Sequence, residues 1–105
     1  MTCPCLPPDK AGGTFAADFE AAYGGPPGSY GAEGFDAANV LIEGLAKGNT
    51  TRKDLLAWVD SYDKEGVSKS LKFADNGDVD ESRVVIWAYE IKGGEITAQQ
   101  EIKLS

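Results

Sequence analysis

Histidine is absent from the 105-residue sequence. General bases near neutral pH, zinc sites and serine or cysteine triads most often recruit an imidazole, so neither an enzyme nor a cofactor is expected. Positive charge is also scarce, with ten Lys and Arg against seventeen Asp and Glu and a net charge of −7. Phosphates and anionic membrane surfaces repel such a chain, which argues against a nucleic-acid partner. No apolar run approaches the ~20 residues of a membrane span, and the Met-Thr-Cys-Pro-Cys start is no secretory signal, so a soluble chain without an address is expected. Cysteine occurs twice, as Cys3 and Cys5 around Pro4. A mutual disulfide at that spacing would be strained, and two loop thiols are expected instead. With no second cysteine pair or histidine to complete four ligands, no zinc site is expected.

The length allows one domain, residues 1–105. Residues 1–13 hold three of the five prolines and the Gly12-Gly13 pair, and read as an extended entry segment. The helical part, 14–66, starts at Thr14, a cap for a short helix over Phe15–Tyr23 that Gly24 stops. After a Gly-Pro turn, a second helix is expected over Ala32–Lys47. Its Phe35, Ala38, Leu41, Ile42 and Leu45 recur at i, i+3, i+4 and form the stripe expected to be buried, while Asp36, Asn39 and Glu43 fall away from it. Thr51 with Asp54 resembles a capping box and opens a third helix carrying Leu55, Leu56, Val59 and Tyr62, closed by Gly66.

The period changes in the strand part, 67–105. Leu71 and Phe73 alternate with polar residues, and Asp75-Asn76-Gly77-Asp78 is a turn signal. The strongest strand is expected over Arg83–Ile91, apolar on both faces at its centre, with an open edge. Gly93-Gly94 offers a two-residue hairpin turn. In the last strand Ile96, Ala98, Ile102 and Leu104 are expected on one face. Helices first and strands last give an α+β chain, about three helices followed by a short antiparallel β-meander.

Asp75, Asp78, Asp80 and Glu81 form the densest acidic cluster, whose spacing fits no EF-hand loop, and a solvated turn is expected. Phe15, Phe19 and Phe35 are assigned to the core. Tyr30 follows a Pro-Gly loop and precedes a helix, where a ring can project toward a ligand. Glu33 and Asp36 lie in that helix's first turn, which favours carboxylates without any ligand.

The run Phe15-x-x-x-Phe19-x-x-x-Tyr23-Gly24, then Pro27-x-x-Tyr30 and Gly34-Phe35-Asp36-Ala37-Ala38 with the following Leu-Ile-Glu-Gly-Leu, resembles the C-terminal part of type I periplasmic binding proteins. Leu71-Lys72-Phe73-x-x-x-Gly77 and the Val84–Ile91 strand followed by Gly93-Gly94 are similar to that family's tail. More narrowly, the order and spacing resemble the branched-chain amino-acid class, the receptors of ABC importers. The resemblance implies a fragment of a two-lobed, Rossmann-like α/β fold and an extracytoplasmic location. It implies a non-enzymatic parent that captures an amino acid between its lobes and delivers it to the importer's membrane subunits. Tyr30, and beside it Glu33, are the ligand-binding positions carried over. Most of the family's ligand contacts lie earlier in the chain, so this piece alone is not expected to bind. A self-associating α+β module, as a homodimer or strand-swapped oligomer, is the alternative.

Overall fold

A computed structural model describes residues 1–104; Ser105, the last residue of the strand part, lies outside the described residues. The chain is α+β, with strands β1 (Thr2–Cys3), β2 (Asp63–Glu65), β3 (Ser70–Lys72), β4 (Ile86–Lys92) and β5 (Glu95–Ile102) around helices α1 (Phe15–Tyr23), α2 (Gly31–Ala46) and α3 (Arg52–Asp60). Single 3-10 turns lie at Pro8–Lys10 and Glu81–Arg83. The strands form two antiparallel groups, a sheet in the order β1-β4-β5 and a separate hairpin β2-β3. The meander is therefore divided, and the entry segment supplies an edge strand that its prolines hide from a sequence reading.

Helix α1 ends as expected. Gly24 takes the left-handed conformation, φ 79°, and its N–H bonds the Glu20 carbonyl at 2.8 Å. At the start, Thr14 Oγ1 donates to Asp18 Oδ2 at 2.7 Å instead of capping the backbone. Thr51 does cap α3, accepting from the Asp54 N–H at 3.1 Å. This helix stops at Asp60, six residues before Gly66, because the chain reverses at buried Tyr62 into β2. Gly66 serves the β2–β3 connection instead, where its N–H bonds the Lys69 carbonyl at 2.8 Å.

Helix α2 turns the opposite way from its apolar stripe. Ala32, Asp36, Val40 and Gly44 are its buried residues, and Phe35, Ala38, Leu41, Ile42 and Leu45 are exposed. The cause lies in specific partners on the small, polar face. Asp36 accepts from the Val67 and Ser68 N–H groups, each at 2.8 Å, and from the Ser68 hydroxyl. Gly44 lets Trp58 come close, since a Cβ there would sit 2.6 Å from the indole Cδ1. The same indole donates to the Val40 carbonyl at 2.8 Å. Hydrogen bonds and close approach thus fix the inner face and leave the bulky stripe uncovered.

Two small cores result. Leu6, Phe15 and Ala32 gather Phe19, Val67, Val85 and Trp87, while Val40, Tyr62 and Leu71 gather Trp58, Val59, Phe73 and Val79. Among the described residues, no large side chain is fully buried. The radius of gyration is 15.4 Å, against about 13 Å for a closed domain of this length. One dimension of the molecule is only 19 Å. That is room for two thin layers and no third.

Strand β4 begins at Ile86, three residues later than expected, because Glu81–Arg83 forms a 3-10 turn capped by Asp80, which accepts from the Ser82 N–H at 3.0 Å. β5 lines one edge of it throughout, while β1 pairs only with Trp87 and Ala88 on the other, so the expected open edge persists toward Lys92. Gly93 and Gly94 turn the hairpin with φ 59° and 81°, both positive as a type I′ turn requires. The register then slips: Ala88 faces Gln100 while Tyr89 faces Ala98, leaving Gln99 as an extra residue. This bulge puts Ile96 and Ala98 on the Trp87 and Tyr89 face, and moves Ile102 to the opposite face with Ile86. The four residues expected on one side of the last strand are therefore split.

An ion pair joins α2 to β2, with Lys64 Nζ 2.6 Å from Glu43 Oε2. The hydrogen bond from Lys64 holds the Glu43 carboxyl below its ordinary 4.5 and the same bond raises the Lys64 ammonium above 10.5. A lowered carboxyl supplies stability that is present above the unfolded value and disappears as pH falls through the folded one; a raised ammonium supplies stability below its unfolded value that disappears at alkaline pH. Carbon-detected NMR titration is expected to give Glu43 a midpoint below 4.5 in the native chain and one returned toward 4.5 in Lys64→Met.

Candidate functional site

Tyr30 and Glu33 stand one turn apart at the start of α2 and meet the entry segment. Tyr30 precedes the helix with φ 63°, and among the described residues it is the one non-glycine in the left-handed region. A bulky side chain there stores about 1–3 kcal/mol of strain. Its ring is half exposed, and its hydroxyl lies 3.2 Å from the Cys3 sulfur. Glu33 Oε1 accepts from the Leu6 N–H at 2.6 Å, and its Oε2 is buried without a partner in the chain. Both expected residues therefore bind the chain's own residues 3–6.

What they converge on was expected to be two free thiols. Cys3 and Cys5 instead form a disulfide, with Cα atoms 5.1 Å apart. Strand geometry accounts for the difference: β1 pairs Thr2 with Ala88 and Cys3 with Trp87, and Pro4 then turns the chain so that Cys5 falls back against β4. Tyr89 closes the other side, its hydroxyl 3.5 Å from the Cys5 sulfur and 3.3 Å from the Cys5 carbonyl oxygen, to which it donates. Burial, with the nearby Glu33 and Asp9 carboxylates adding to it, raises the Tyr89 hydroxyl above its ordinary 10.0 and keeps it a donor. Cys5 is buried and Cys3 half-buried. Tyr89 carried no signal in the sequence beyond its place in an apolar strand.

A separate groove of about 630 Å³ opens between α1 and α2, walled by Phe15, Phe19, Tyr23 and Phe35 with Gly31 and Val67. Only Phe15 of these rings is buried, so the assignment of Phe35 to the core is corrected and Phe19 is half-buried. The rings pack in tilted pairs, with centroids 5.1 Å apart for Phe15–Phe35 and 4.7 Å for Phe19–Tyr23. Tyr30 and Glu33 do not line this groove.

The acidic turn is occupied by its own hydrogen bonds. Asp78 N–H donates to Asn76 Oδ1 at 3.1 Å, Asn76 donates back to Asp78 Oδ2 at 2.9 Å, and Asp80 accepts from the Ser82 hydroxyl at 2.6 Å. Among the described residues, no three His, Cys, Asp or Glu side chains are grouped to hold a metal ion. Nor is any described helix long and apolar enough to cross a membrane. Comparisons with protein-family models, with curated proteins and with solved structures each find no match to the chain.

Proposed function

We propose that the chain is the C-terminal portion of an extracytoplasmic solute-binding protein of an ABC importer, of the branched-chain amino-acid class. The observation that carries this reading is the uncovered stripe Phe35, Ala38, Leu41, Ile42 and Leu45 on a helix whose other face is fixed by its own chain. Such a stripe calls for a further layer, which the rest of a two-lobed receptor supplies. The thin, open shape and the absence of a fully buried large side chain among the described residues support the same view. An intact disulfide supports an oxidising compartment outside the cytoplasm. In the full receptor the solute is held between lobes and passed to the membrane subunits; this portion offers at most one wall and binds no amino acid usefully by itself.

A second reading is a small module that hides the same surface by self-association. The spacing of Phe35, Ala38, Ile42 and Leu45, alternating three and four, favours it because two helices seam together on that pattern, and β5 leaves an outer edge for pairing. Light scattering with calorimetric titration of leucine, isoleucine and valine tests both. Under the receptor reading no amino acid gives saturable heat; heat that saturates with one of them overturns it. A monomer that stays monomeric at high concentration overturns the second reading. Under that reading Leu41→Lys with Ile42→Lys converts the oligomer to monomer and leaves the helix content unchanged.

A further inference from the structure

The Cys3–Cys5 bond is badly placed for a structural staple. It encloses one residue, and the stabilisation a disulfide gives through the unfolded chain grows with the loop it closes. Residues 1–6 are held in place without it. Tyr89 N–H bonds the Met1 carbonyl at 2.7 Å, β1 pairs with β4, and the Leu6 N–H is fixed on Glu33. Reduction would therefore leave both sulfurs side by side on a folded support. The two sulfurs are also unequal: Cys3 is half-buried on an outer strand, and Cys5 is buried with the Tyr89 hydroxyl beside it. Each has a tyrosine hydroxyl beside it, and one of those tyrosines is held in a strained backbone conformation.

We propose that Cys3-Pro4-Cys5 is a thiol–disulfide exchange centre that accepts two electrons from a dithiol. A thiolate of the dithiol attacks the accessible Cys3 sulfur and forms a mixed disulfide with it. The Cys3–Cys5 bond breaks, and its electron pair leaves on Cys5 as a thiolate, which receives a hydrogen bond from the Tyr89 hydroxyl after a small rotation away from the Cys5 carbonyl. The second thiol of the dithiol, deprotonated by solvent, then attacks its own sulfur in the mixed bond and releases Cys3 as a thiolate. The dithiol ends as a disulfide, and Cys3 and Cys5 take up two protons from water. Tyr30, with its hydroxyl 3.2 Å from the attacked sulfur, flanks the approach of the incoming thiol.

Dithiothreitol is the probe, with thiols counted by alkylation and mass while circular dichroism follows the fold. The expected result is reduction of the folded chain, with the helix signal kept and full reoxidation by glutathione disulfide once the dithiothreitol is removed. Reduction that occurs only together with loss of the helix signal overturns the proposal. With glutathione disulfide, Cys5→Ala is expected to trap glutathione on Cys3, and Cys3→Ala to react at least about tenfold more slowly through buried Cys5; equal rates overturn the order of attack. Tyr89→Phe is expected to slow reduction about tenfold, the factor that one hydrogen bond to an ionised group supplies, without a matching fall in the thermal midpoint. An unchanged rate removes Tyr89 from the centre.

Discussion

Asp36→Ala is expected to cost about 3 kcal/mol or more and to remove over half of the chain's stability. The Asp36 carboxylate receives three hydrogen bonds from the 67–68 backbone and the Ser68 hydroxyl, and it is 4% exposed. Each hydrogen bond to an ionised group is worth about 1.5–3 kcal/mol, and its removal strands two backbone N–H groups near the interior. Gly66 has no room for an alternative, because a Cβ there would sit 2.6 Å from the Asp36 Cγ. Native domains hold only about 5–15 kcal/mol in total, and a chain with two small cores stands at the low end. A denaturant midpoint shifted by less than the equivalent of about 1 kcal/mol would show that the 66–68 loop is held by something other than this carboxylate.

Phenylalanine at two positions gives the second large effect. Phe15→Ala is expected to cost about 3–5 kcal/mol, because its ring is 9% exposed and packs with Leu6 and Ala32. Phe35→Ala is expected to cost under about 1 kcal/mol, since the ring is 46% exposed and loses mainly its tilted contact with Phe15. Paired urea melts on the two variants measure the difference directly. Equal costs would mean that the stripe on α2 is covered in solution, and that the solution species is an assembly and not a single chain.

The contrast also shows what was legible in the residues. Helix ends were readable where one local rule decides them: Gly24 takes positive φ, Thr51 reaches its own first turn, and Gly93-Gly94 closes a hairpin. The inward face of α2 was not, because periodicity follows side-chain size, whereas this face is chosen by a carboxylate that meets a loop thirty-one residues away. Strand β2, Asp63-Lys64-Glu65, is exposed along its whole length and carries no apolar alternation to read. Tyr30 and Glu33 were found as a pair because both lie at the start of a helix, but their partners come from the entry segment, 27 residues earlier. The disulfide was missed for a different reason. Spacing describes two cysteines in a free peptide, whereas here β1 sets the direction of Cys3 and the Tyr89 hydroxyl holds Cys5 against β4.

The extra residue at Gln99 divides the apolar surface of the β4–β5 arm. Ile91 and Ile96, beside the glycine turn, project to the side that Trp87 shares with the helices, while Ile86 and Ile102, at the far end, project to the reverse. The two-stranded arm thus carries its water-shunning ends on opposite sides, like a blade sharpened on one side near the tip and on the other near the handle. A neighbour sliding over a single side dries only half of it. Full coverage demands contact from above and below, which a flat companion sheet cannot provide and a surrounding lobe can.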